Sequence, residues 1–187
     1  MEPSTLETIA RITARERLLI ASSRGAPMDG SPDKVAALAD VARALDRLGA
    51  PHAVVGGVAV GIRSGVPRAT LDTDVAVRST VERGALIQAL TTAGFRLTGT
   101  FAHSMNFRHP SGEPVQIVCD PGFDTMIDRA EPLDLAGVRV RVVTTGDLIA
   151  MKERAAADPA RRRSKALRDQ ADIALLRGDV PGTDEGW

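Results

Sequence analysis

"VVGGVAVGIRSGVPRATLDTDVAV", residues 54–77, breaks an apolar run on a glycine pair and then delivers two carboxylates inside a second apolar run. The short strand "HAVV" at 52–55 runs into Gly56-Gly57, and "VAVGIRSG" follows as a short helix before the turn at Gly65 to Pro67. "LDTDVAV" is then a strand, with Leu71, Thr73, Val75 and Val77 on one face and Asp72, Asp74 and Ala76 on the other. Asp72 and Asp74 therefore leave one face roughly 7 Å apart and converge on a single cation. Hard oxygen ligands suit Mg²⁺ (or Mn²⁺), which takes one or two carboxylates and completes its shell from substrate phosphates. The plainer alternative is the solvated face of an edge strand. Gly56-Gly57, at a strand end and a helix start, leaves backbone N–H groups for a triphosphate to approach, because glycine puts no side chain in the way.

Outward from this stretch, the chain alternates helix and strand. Helices are expected over Ser4 to Ser23 and over Asp33 to Leu48, the second with Ser31-Pro32 as cap and first turn and Gly49 as stop. Thr80 to Ala93 is helical and ends at Gly94. "FRLTGT", "HSMNFRH" and "PVQIVCD" are strands, the last two joined as a hairpin through "PSGE". A short helix over 122–130 and a strand or tight hairpin about Ala136-Gly137 come next. "TTGDLIAMKERAAA" starts a helix with Thr144 or Thr145 as cap, Asp158-Pro159 breaks it, and Arg161 to Leu176 forms the last helix. The fold class is α/β (α+β), a mixed sheet flanked by helices. It divides into an N-terminal helical segment (1–50), a core (51–143), a C-terminal helical pair (144–177) and a polar tail (178–187) expected to be disordered.

Composition excludes several classes. With 24 basic and 24 acidic residues among 187, no bulk charge marks a nucleic-acid or membrane-surface binder. The single Cys119 forms no internal disulfide, no run approaches a membrane span, and no apolar signal core opens the chain, so a cytoplasmic protein is expected. Tyr is absent and the one Trp is Trp187, which leaves little for stacking on bare strands. His52, His103 and His109 form no spaced metal motif with Cys119.

With fourteen residues between Gly57 and Asp72, "GGVAVGIRSGVPRATLDTD" resembles the nucleotidyltransferase superfamily, whose fingerprint is a Gly-Gly or Gly-Ser turn followed by an Asp-x-Asp strand. It looks most like the abortive-infection and toxin branch, the AbiEii-like proteins. The resemblance spans residues 50–177 and includes "VRVVTTGDLIAMKERAAADPARRRSKALRDQADIALL". It implies an enzyme with a nucleotidyltransferase-like fold, Gly56 and Gly57 as the phosphate turn, and Asp72 and Asp74 as metal ligands. Lys152 would contact the triphosphate. Lys165, Asp169 and Asp172 fall on the final helix, Asp169 orienting a hydroxyl or serving the metal site; their plainer reading is an exposed, salt-bridged face. Arg68 would meet phosphate or fasten its loop, and Thr70 caps a turn.

One departure matters. Where many members carry a third acid on a later strand, "PVQIVCD" presents Gln116, which cannot act as general base. Asp120 shares its strand parity and is the substitute metal ligand if the strand continues. Residues 152–168 hold seven cations against Glu153 and Asp158, seven minus two giving a local +5. This tilts the acceptor of the transferred nucleotide toward RNA, by resemblance the 3′ end of tRNA, with a cognate antitoxin as partner. An antibiotic hydroxyl is the alternative acceptor, and a nucleotide-binding module with lost catalysis the alternative class.

Overall fold

The structure, a computed structural model, describes residues 32–66, 70–135 and 137–180. The expected helix at Ser4 to Ser23, the Ser31 cap, Arg68 and most of the tail lie outside the described residues.

Helix α1 (Lys34–Leu48) is capped by Asp33, whose side chain accepts from the Ala36 N–H, and Gly49 closes it at φ 68°. Strand β1 (His52–Val55) turns at Gly56 into α2 (Gly56–Ser64). Strand β2 (Thr73–Val77) is shorter than expected: Leu71, placed on the buried face by alternation, is 74% exposed, and Asp72 precedes the strand. Helix α3 (Arg83–Thr92) starts at Glu82, not Thr80, because the Asp124 carboxylate accepts from the Ser79 N–H and hydroxyl and holds that segment in a turn. Strands β3 (Arg96–Thr100), β4 (Ser104–Arg108) and β5 (Pro114–Val118) form a meander. A 3₁₀ turn (Pro121–Phe123) leads to α4 (Asp124–Arg129), then the hairpin β6 (Glu131–Leu135) and β7 (Val138–Val142). Helix α5 (Thr145–Ala157), capped by Thr144, and α6 (Arg163–Leu176) finish the fold.

The seven strands form one mixed sheet in the order β3-β4-β5-β2-β1-β7-β6. β2 with β5 and β1 with β7 are parallel; the other pairs are antiparallel. Two apolar clusters result from the period-two alternation of strand side chains. One packs α1 and α3 against β2, β4 and β5 through Leu45, Leu86, Leu90, Val75, Phe107 and Ile117. The other joins α2, α4, α5 and the end of α6 to β1 and β7. Below, the front of the sheet is the face that carries Asp74 and Gln116. Among the described residues, no helix is long and apolar enough to cross a membrane.

The back holds a fully buried ion pair. Lys34 Nζ lies 2.5 Å from Glu113 Oε1, and neither side chain has any exposure. Burial pushes the Glu113 carboxyl above its ordinary range, although Lys34 and the Thr73 hydroxyl pull the other way.

Candidate active site

The Gly56-Gly57 turn and Asp74 meet directly. Val55 pairs with Asp74 across β1 and β2, and Gly56 sits at φ 67°, a conformation that side-chain-bearing residues rarely adopt. A Cβ on Gly56 would stand 2.0 Å from Asp74 Oδ2. Glycine is thus required twice, by the backbone angle and by the carboxylate packed beneath it. Gly57 is buried in the first turn of α2, whose N-cap, Val55, supplies no side-chain bond to the helix's leading N–H groups. They stand at the positive end of a nine-residue helix, the end at which an anion is favoured.

The register continues the row. Asp74 pairs with Gln116 on β5, and Gln116 with Asn106 on β4, so all three project from the front. Gln116 Nε2 donates to Asn106 Oδ1 at 3.2 Å. Glutamine therefore occupies the position beside Asp74, and the floor beyond it is an uncharged amide pair.

Opposite this row stand α5 and α6. The chain reverses at Asp158-Pro159, which brings Lys152 of α5 against Asp169 and Asp172 of α6, both at 2.8 Å. Arg161 Nε lies 2.6 Å from the other Asp169 oxygen. Asp169 and Asp172 are almost wholly buried, so the exposed, surface-paired face is not what the structure shows. Burial alone would raise the Asp169 carboxyl, but Lys152 and Arg161 outweigh it and hold it below the ordinary carboxylate range. A cleft of about 300 Å³ lies between the two walls, lined by Gly56, Asp74, Gln116, Lys152, Arg161 and Asp169 with apolar neighbours that include Phe123 and Met151.

Other expected site residues fall elsewhere. Asp72 lies just ahead of β2, partly exposed, with the Thr70 hydroxyl 3.4 Å from its Oδ1; it borders the cleft's acidic strand without lining the cleft. Lys165 is exposed on α6 and does not line the cleft. Asp120 is not brought to the site: the strand ends at Val118, and its carboxylate caps the 3₁₀ turn by accepting from the Gly122 N–H. Arg161 and Asn106 were missed. Arg161 precedes Asp169 by eight residues, a spacing no helical rule links, and Asn106 is marked only by strand register.

Among the described residues no group of three or more His, Cys, Asp and Glu side chains is arranged to hold a metal ion. Two carboxylates that substrate phosphates complete are nevertheless a donor set that fits Mg²⁺.

Solved structures share this architecture. An antigenic nucleotidyltransferase-like protein from Paracoccidioides brasiliensis aligns with a TM-score of 0.56 at 23% identity, over 81% of this chain and 78% of that one. The antibiotic-resistance factor ANT(2'')-Ia aligns with a TM-score of 0.56 at 18% identity, over 78% and 85%. The fold is nucleotidyltransferase-like. The lincosamide antibiotic adenylyltransferase LnuA, lincomycin-bound, shares this nucleotidyltransferase-like fold with a TM-score of 0.56 at 12% identity, over 81% of this chain and 100% of that one. No family model and no curated protein sequence matches the chain.

Proposed function

We propose that this protein is a divalent-cation-dependent nucleotidyltransferase that moves a nucleoside monophosphate from an NTP onto a hydroxyl of a small molecule. The observation that carries the reading is the contact between the Gly56 turn and the Asp74 carboxylate, which joins an anion-binding helix start to a cation-binding strand. In the reaction the acceptor oxygen bonds to the α-phosphorus, the bond from that phosphorus to the bridging oxygen breaks, and pyrophosphate leaves. The acceptor proton passes to Asp74 or to water, because the Gln116 amide cannot take it.

The α2 N–H groups cradle the triphosphate. Lys152 spends two of its three donors on Asp169 and Asp172 and directs the third toward phosphate, so the acids fix its head rather than attack substrate. Asp74 and Asp72 would hold Mg²⁺, which when bound neutralises phosphate charge and eases deprotonation of the acceptor. Catalysis here is mainly positioning and charge stabilisation.

The acceptor follows from the floor. Gln116 and Asn106 give and accept hydrogen bonds without charge, which suits a hydroxylated small molecule of the antibiotic kind that solved structures of similar fold act on or bind. The RNA reading rests on Arg162, Arg163, Lys165 and Arg168, exposed at the start of α6. It loses weight because Lys152 and Arg161 are committed to acids: over residues 152–172 seven cations minus four acids leaves +3. With tRNA as acceptor, a toxin role with an antitoxin partner would follow.

The test is incubation with each α-labelled NTP and Mg²⁺ beside lincosamides, aminoglycosides or total tRNA, using wild type, Asp72→Asn and Asp74→Asn. Transfer to a small molecule that Asp74→Asn abolishes is the expected result. Transfer to tRNA alone replaces the acceptor, and NTP binding without transfer to any of them leaves the nucleotide-binding module.

A further inference from the structure

The ion pair on the back of the sheet calls for an explanation. Lys34 and Glu113 are fully buried, and a buried pair of this kind costs about as much in desolvation as it returns in attraction. Stability is therefore a poor reason for it. Glu113 makes a second contact: its Oε1 accepts from the Thr73 hydroxyl at 2.9 Å, also in the buried interior. Thr73 is the first residue of β2 and stands between Asp72 and Asp74.

Ahead of β2 the chain is held lightly: Leu71 is exposed, and among the described residues the side-chain hydrogen bonds to Asp72 are the long ones from Thr70, at 3.3 Å and 3.4 Å. Within β2, Thr73 pairs with Val115 and Asp74 with Val55 and Gln116. Glu113, by contrast, is tied down from several sides. Lys34 opens α1, the Asp33 N–H donates to Ser111 Oγ at 3.1 Å, Ser111 Oγ lies 2.8 Å from His109 Nδ1, and His109 Nε2 lies 3.0 Å from Asp40. The β4–β5 turn is thus latched to α1. Glu113 also immediately precedes β5, whose Gln116 sits beside Asp74.

We infer that Glu113 is a positioning residue that, neutralised by Lys34, pins Thr73 from behind and so fixes Asp72 and Asp74 at the spacing a bound cation needs. The inference rests on the proposed reading of those acids. Lys34 lets a carboxylate serve as the anchor without adding net negative charge behind two further acids. Contacts to metal ligands themselves typically govern affinity by 10- to 100-fold, and this one acts one residue away, through Thr73 between the two acids.

Mn²⁺ uptake by the full chain in the presence of ATP, read from the free-Mn²⁺ paramagnetic resonance signal, tests it. Lys34→Met/Glu113→Gln removes both charges and keeps an acceptor for Thr73; Lys34→Met/Glu113→Leu removes the acceptor as well. The first is expected to bind Mn²⁺ within about threefold of wild type and the second to lose tenfold or more. Thr73→Val, which leaves the ion pair in place, is expected to match the second and decides the matter if a double variant fails to fold. Equal affinity in wild type, Thr73→Val and the folded double variants overturns the inference alone. A wild type that takes up no Mn²⁺, or an Asp74→Asn variant that takes up as much, overturns the parent reading and the inference with it.

Discussion

The two faces of the sheet use buried charge in opposite ways. On the back, Lys34 and Glu113 form a fully buried pair that also holds the Thr73 hydroxyl, beside an apolar cluster of α1, α3 and the central strands. On the front, Lys152, Arg161, Asp169 and Asp172 form a network, and the first three of them line a cleft beside Asp74 and Gln116. The same ionic chemistry thus anchors backbone where no ligand enters and builds a wall where one does. What separates the cases is access, and access is decided by which helices cover the strand.

That contrast can be broken most severely at the glycine turn. Gly56→Ala drives a Cβ into Asp74 Oδ2 and strains a positive φ, so nucleotide binding measured by calorimetry is expected to vanish while the back face keeps its packing. Next in size is Lys152→Ala. It removes the lysine shared by the buried Asp169 and Asp172 and leaves Arg161 on Asp169, and urea unfolding is expected to show a loss of about 3 kcal/mol, with weaker ATP binding beyond it. Leu90→Ala on the back is the control for that double effect: about 2–5 kcal/mol of stability is expected to go, with ATP affinity of the folded protein unchanged.

Acid sharpens the comparison further. Asp169 has a folded pKa below its unfolded value, so its contribution to stability is present above the unfolded pKa and is lost as pH falls through the folded one. Glu113 has the opposite shift, so protonating it favours the folded state and its contribution grows as pH falls through its raised folded pKa. Hydrogen exchange followed from pH 6 into the acid range is expected to show α5 and α6 opening before α1 and the β4–β5 turn. The smallest effect is Lys165→Ala, exposed and away from the cleft, which is expected to change stability by less than about 0.5 kcal/mol and ATP affinity hardly at all.

Legibility in the sequence followed locality. The glycine turn, the strand ahead of it, the 104–118 hairpin and the Thr144 cap are each set by residues within a few positions, and they appear where the spacing puts them. Asp33 caps α1 two residues after Ser31, a difference of which N–H groups a side chain reaches, and Glu82 opens α3 because the distant Asp124 holds Ser79 in a turn. Leu71 defeated alternation since β2 begins only at Thr73, and Leu71, two residues ahead of it, is exposed. Gln116, singled out by the resemblance alone, pairs with Asp74 across β2 and β5. The pairing of Lys152 and Arg161 with Asp169 was out of reach, as it depends on the angle at which α6 folds back on α5. The Glu113 anchor was equally hidden: a Lys 79 residues upstream gives no periodic signal.

Arg63, on the helix that begins with the glycine turn, donates to the carbonyls of Val142 and Val143, some 80 residues further along the chain. The sheet's centre is therefore closed late, and α5 and α6 join only afterwards. As the chain leaves the ribosome, the Gly56–Asp74 contact can form from one continuous hairpin long before the cationic wall exists. A nascent chain arrested before Arg163 would carry half a site, able to hold the acidic strand in shape but without Asp169 or Asp172 to aim Lys152. Competence for nucleotide would then arrive as a single late event, when Arg163–Leu176 folds back on the helix before it.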